Sequence, residues 1–209
     1  MFEAVIFDFG GVITESPFEA FNRMETRLGI SPDTVRRINA TNPDTNAWAM
    51  FERSEIDAIE FDRRFSAEAA AFGVNLSGRD VLSCLQGAVR PRMLEALRRI
   101  SARYKTGCRT YNVRTDGPDH ATRDARVTEA FALFGHVIES SKIGIRKPDP
   151  RIYALMLDHL KVEPGRAIYL DDLGINLKPA RAMGMTTIKV VTGDDAIKDL
   201  EGLLGAPLA

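Results

Sequence analysis

The sequence contains no apolar run long enough to span a bilayer, which excludes a helical membrane protein. Cysteine is scarce. Cys84 and Cys108 are the only two, and their spacing fits neither a metal-ligand set nor a redox pair, so reduced thiols in a cytoplasmic protein are expected. Neither sign of charge is in excess. With 28 basic and 29 acidic residues, no long-range field draws nucleic acid or an anionic membrane, and the expected partner is a small molecule. A leader is not expected either, because Asp8 cuts the first apolar run and no basic segment precedes it. Internal repeats and low-complexity tracts are also missing. The 209 residues suggest one domain, or one domain with an insertion.

What is present begins with Ala4-Val5-Ile6-Phe7-Asp8-Phe9-Gly10-Gly11-Val12. An unbroken apolar run ending at a turn signal predicts a strand buried on both faces, as in a parallel sheet. Asp8 then sits at the carboxyl end of that strand, the edge at which open α/β sheets bind ligands. An aspartate there is also a natural N-cap for the next helix, and this stretch alone does not separate the two readings.

Helix-start signals follow at Ser16-Pro17-x-Glu19, Ser31-Pro32, Asp57-x-x-Glu60 and Ser77-x-x-Asp80, predicting four short helices between about residues 16 and 88. No strand pattern interrupts them, and Trp48, Met50 and Phe51 are read as packing. From Pro91 onward strand and helix patterns alternate. Strands are expected at Lys105 to Thr110, His136 to Glu139, Ala167 to Leu170 and Thr186 to Val191. Helices are expected from Pro91 to Arg103 and near 122 to 134, 150 to 161 and 175 to 183, with Gly135 and Gly184 as stops. With the first strand this predicts an α/β fold, a Rossmann-like five-stranded parallel sheet formed by residues 1–15 and 89–209, into which a helical unit, residues 16–88, is inserted.

Three further polar groups fall at the expected carboxyl ends of strands or in their loops: Thr110-Tyr111-Asn112, Lys147-Pro148-Asp149 and Asp171-Asp172. Taken singly they read as a strand end, a solvated loop charge and helix caps. Taken together with Asp8 they gather three carboxylates at one edge. Such a group repels itself unless a hard divalent cation such as magnesium sits among the oxygens, and an added lysine and hydroxyl suit a phosphoryl group.

These residues resemble the motifs of the haloacid dehalogenase-like (HAD) hydrolases. The first motif matches Val5 to Val12, the second Thr110, the third Gly144-Ile145-Arg146-Lys147-Pro148, and the fourth Tyr169-Leu170-Asp171-Asp172-Leu173-Gly174-Ile175-Asn176. The inserted helices look like a C1 cap, and Phe51-Glu52-Arg53-Ser54-Glu55-Ile56 resembles a segment of phosphatase-like caps. The resemblance implies that Asp8 is a nucleophile forming an aspartyl-phosphate. It implies magnesium held by Asp8, the Gly10 carbonyl, Asp172 and Asp171. It also implies phosphoryl oxygens held by Thr110, Lys147 and the backbone N–H groups of Phe9 and Tyr111. Most phosphatases of this kind carry a second aspartate two residues after the nucleophile as general acid and base, and here that position is Gly10. The implied activity is a magnesium-dependent phosphatase acting on a small phosphorylated metabolite. A 2-haloacid dehalogenase and a weakly catalytic binding protein are the alternatives. Arg109 stands where the second strand should be apolar, so it is expected either to reach an acid or to disturb the strand.

Overall fold

The computed structural model describes residues 1–85, 87–110 and 125–208. Five parallel strands form one sheet: β1 (Ala4–Asp8), β2 (Lys105–Thr110), β3 (His136–Glu139), β4 (Ala167–Asp171) and β5 (Thr186–Lys189), in the spatial order β3-β2-β1-β4-β5. The chain leaves central β1 first toward β2 and β3, then returns to β4 and β5 on its other side. Between β1 and β4 the winding direction reverses, which opens a crevice at the strands' carboxyl ends.

Both faces of the sheet are covered. Val5 and Phe7 of β1 pack into one core with Leu97 and Ile100, while Ala4 and Ile6 pack into a second with Tyr153 and Met156. Burial on both faces is why β1 reads as an unbroken apolar run and not as an alternating one.

The helices, in chain order, are α1 (Pro17–Arg27), α2 (Thr34–Ala40), α3 (Ala47–Glu52), α4 (Ala58–Ala71), α5 (Gly78–Ser83), α6 (Pro91–Ser101), α7 (Ala125–Ala132), α8 (Ser140–Ile143), α9 (Pro150–Leu160), α10 (Gly174–Ala182) and α11 (Gly193–Leu204). The first core takes residues from α6, α7 and α11, the second from α9 and α10. Helices α1 to α5 build a third core around Phe21, Val35, Ile38, Phe61 and Phe65, with Trp48 edge-on to both Phe21 and Phe61. Two chain segments beside each other connect this helical unit to the sheet. Thr14 and Val89 form an antiparallel bridge, and Glu15 N–H donates to the Ala88 carbonyl at 2.9 Å.

Among the described residues of that unit there are five helices, not four. The missed one, α3, is opened by Asn46, whose side chain accepts from Ala49 N–H at 2.8 Å and donates to two carbonyls of the preceding turn. Neither a proline at the first helical position nor an acid three residues after the cap advertises the start. Also unexpected were the single-turn α8 and α11, which Thr192 caps by accepting from Asp195 N–H. Gly184 ends α10 at φ +97°, as expected of a helix stop, whereas Gly135 is not in the left-handed region.

Candidate active site

Asp8 ends β1, and its backbone pairs with Arg109 of β2 while Phe7 pairs with Leu170 of β4. This register sets Asp8, Thr110 and the Asp171-Asp172 pair at one edge. The chain then makes a single wide turn, Phe9–Ile13, before the helical unit begins. Asp8 combines the two sequence readings: one carboxylate oxygen accepts from Phe9 N–H at 2.8 Å, as a cap would, and the other faces Lys147.

Lys147 is the pivot of the site. It follows α8 in a loop with a cis Lys147–Pro148 bond, and its Nζ lies 2.7 Å from both Asp8 Oδ2 and Asp171 Oδ2. It is therefore not a solvated loop charge. Burial works against its ammonium, but Asp171 and Asp8 outweigh that and raise its pKa well above the usual lysine range.

Asp171 is fully buried and saturated. Its Oδ1 accepts from Leu173 N–H and Asn176 Nδ2, both at 2.9 Å, and its Oδ2 accepts from Lys147, the Tyr169 hydroxyl and, at 3.2 Å, Asn176. Burial pushes its pKa up, yet the Lys147 charge and these donors hold it below the ordinary carboxylate value.

Asp172 is engaged differently. Among the described residues its side-chain hydrogen-bond donor is Ser16, whose hydroxyl donates to Oδ2 at 3.2 Å. Ser16 does precede α1, but its side chain makes no capping bond. The hydroxyl that reads as a helix cap is spent on the carboxylate across the crevice. Burial, then the Asp171 charge, pushes Asp172 up to about 6. Burial pushes Asp8 up to about 7, against Lys147 and with added repulsion from Asp171 and Asp172.

One oxygen from each of Asp8, Asp171 and Asp172 lies within 4.8 Å of the others. An all-oxygen set of this density suits a hard divalent cation such as magnesium. The turn is shaped for it as well. Gly11 has φ +76°, and a Cβ there would lie 2.3 Å from Asp172 Oδ2, so only glycine lets that carboxylate close onto the turn.

Of the sequence-predicted residues, Asp8, Gly10, Thr110, Lys147, Asp171 and Asp172 gather at this edge. The Phe9 N–H, expected to hold a phosphoryl oxygen, is donated to Asp8, and its ring stacks on Phe131 at 4.6 Å. Tyr111 lies outside the described residues. Ser16, Gly11, Tyr169 and Asn176 were missed as site residues. The last two fall inside the fourth motif, two residues before and five after Asp171, and both donate to it. Arg109 meets neither expectation: β2 pairs regularly through it on both sides, and its guanidinium lies 4.0 Å over the Tyr153 ring.

Comparison with known proteins agrees with this architecture. The chain is 35% identical over 99% of its length to mouse "Acyl-CoA dehydrogenase family member 10", of which it covers 20%. It spans only about a fifth to two fifths of the first curated relatives it matches. It is 26% identical over 98% of its length, and 97% of the relative's, to "Sesquiterpene phosphatase" of Aspergillus oryzae. A predicted HAD-like hydrolase from Porphyromonas gingivalis, 19% identical, shares the fold with a TM-score of 0.66 over 98% of both chains. A model of the haloacid dehalogenase-like hydrolases matches residues 2–184, and the chain belongs to that family.

Proposed function

We propose that this hydrolase is a magnesium-dependent phosphatase acting on a small phosphorylated metabolite through an aspartyl-phosphate on Asp8. The observation that carries the reading is the placement of Lys147 at 2.7 Å from both Asp8 and Asp171, beside an Asp172 with coordination capacity to spare. A carboxylate attacks a phosphate only if the repulsion between them is screened, and magnesium supplies that screening when bound. Asp8, Asp172 and the Gly10 carbonyl would hold it. Asp171, already saturated, serves instead to fix Lys147.

In the first step an Asp8 oxygen forms a bond to phosphorus as the ester P–O bond breaks, and the electron pair leaves on the alcohol oxygen. Lys147 and Thr110 hold phosphoryl oxygens during that transfer. Water then attacks phosphorus, releasing phosphate and restoring the Asp8 carboxylate. Over residues 16–88 the helical unit acts as the cap that excludes bulk water. A cytoplasmic setting fits the unpaired Cys84 and Cys108. The likeness to a phosphatase along nearly its whole length supports the substrate class. Three carboxylates at the site also disfavour a haloacid, whose own carboxylate they would repel.

The test is to mix the protein with magnesium and an aryl phosphate, quench in acid and weigh the peptide that contains Asp8. Added phosphate mass, absent from Asp8→Asn, is expected. Turnover without any adduct, equally fast in Asp8→Asn, would overturn the assignment.

A further inference from the structure

Arg109 is 1% exposed, and among the described residues none of its three side-chain nitrogens has a hydrogen-bond partner. Its guanidinium lies over Tyr153, 4.0 Å from the ring centroid, and 5.5 Å from that of Tyr169. The two rings meet edge-on at 5.5 Å. Both hydroxyls run to the floor of the active site: Tyr153 donates to the Asn176 carbonyl at 2.6 Å, and Tyr169 donates to Asp171.

Packing does not require a cation here. A buried charge without a paired acid is expensive, and an apolar side chain of similar length fills such a space at less cost. The site above does have a use for positive charge. Among the described residues, Asp8, Asp171 and Asp172 set three carboxylates against one ion-paired cation, Lys147. Arg109 is paired with Asp8 in the sheet and projects to the same face as Tyr169, whose hydroxyl donates to Asp171. Low-dielectric surroundings let the Arg109 charge reach the site with little screening.

We infer that Arg109 is a second fixed cation beneath the site, a positioning residue that weakens the hold on a divalent cation and strengthens the hold on a phosphoryl anion. This rests on the phosphoryl-transfer reading above. Loss of packing and loss of charge predict different outcomes. A packing defect loosens both ligands, whereas removal of the charge moves them in opposite directions.

The experiment is calorimetry on wild type, Arg109→Met and Arg109→Lys, titrating magnesium alone and then inorganic phosphate at saturating magnesium. Arg109→Met is expected to bind magnesium about tenfold tighter and phosphate about tenfold weaker, with Arg109→Lys within about threefold of wild type for both. If Arg109→Met does not fold, Arg109→Gln is titrated in its place with the same expectations. Both affinities unchanged, or both weaker, with a wild type that binds both ligands, would overturn the Arg109 inference alone. A wild type that binds neither would overturn the phosphoryl-transfer reading and this inference with it.

Discussion

Gly10 leaves the turn after β1 without a side chain two residues past Asp8. The reason is not steric. Its backbone is extended, at φ −70° and ψ 131°, and a Cβ there would meet nothing nearer than Pro17 Cγ at 3.8 Å. An aspartate therefore fits. A positioned general acid contributes typically about 10² to 10⁴ in rate when the leaving group is a poor one. Gly10→Asp is expected to raise turnover of alkyl phosphates within roughly that range while changing aryl phosphates, whose leaving group needs no proton, far less. Steady-state rates on the two substrate types check this, and an unchanged alkyl rate in a folded variant would mean that another group already delivers the proton. The neighbouring Gly11 is the opposite case. Its positive φ and its 2.3 Å approach to Asp172 leave no room for any other residue.

At the scale of elements, the connection between the helical unit and the sheet core is closed by a charge pair that the sequence did not suggest. Arg146, in the loop after α8 and next to Lys147, pairs with Glu52 at the end of α3 and donates to the Pro43 carbonyl at 2.7 Å. Burial raises the Glu52 pKa, with Arg146 as the main force holding the carboxylate ionised. The pair thus ties the loop that carries Lys147 to the unit above it. Arg146→Ala removes the cation beside a half-buried Glu52 carboxylate that keeps its hydrogen bond with Trp48, at a cost of about 1 kcal/mol. The helical unit is expected to relieve that by opening, so the variant should show a larger radius of gyration than wild type in small-angle scattering without ligand. A phosphate analogue should then compact the variant more than wild type. Identical profiles for the two proteins would rule the latch out. Three other arginines of the helical unit are engaged within it: Arg53 with Glu55, Arg36 over the Phe18 ring and Arg37 with Thr34.

For the whole molecule, the carboxylate cluster couples stability to pH. Asp8 and Asp172 have folded-state pKa values of about 7 and about 6, above the 3.8 from which they are raised. The folded protein thus keeps protons that the unfolded chain releases. Their stabilising contribution is complete below about pH 4 and is lost as pH rises through 6 and then 7. A divalent cation competes for the ionised oxygens, so its stabilising effect should grow across the same window. Excess magnesium is expected to raise the thermal midpoint little near about pH 5 and clearly more near about pH 8. An equal shift at both values would argue that the cation binds away from these carboxylates.

Much of this architecture is legible in the residue order because its causes are local. Buried parallel strands must be continuously apolar, so β1 and β4 stand out. Side-chain caps such as Asp57 and Ser77 act within one helical turn, accepting from Glu60 and Asp80 N–H as expected. Asp8 and Asp172 are visible at strand ends, and Lys147 in a loop beyond one, because a parallel sheet sends every carboxyl end to the same edge. Tertiary structure alone decided how those groups are spent. That Lys147 reaches both Asp8 and Asp171, that Ser16 serves Asp172 instead of its own helix, and that Arg109 lies on two tyrosines all depend on contacts between segments far apart in the chain. Such contacts follow from how helices seat on a twisted sheet, where a shift of one ångström exchanges one hydrogen-bond partner for another and the local sequence carries no trace of the choice.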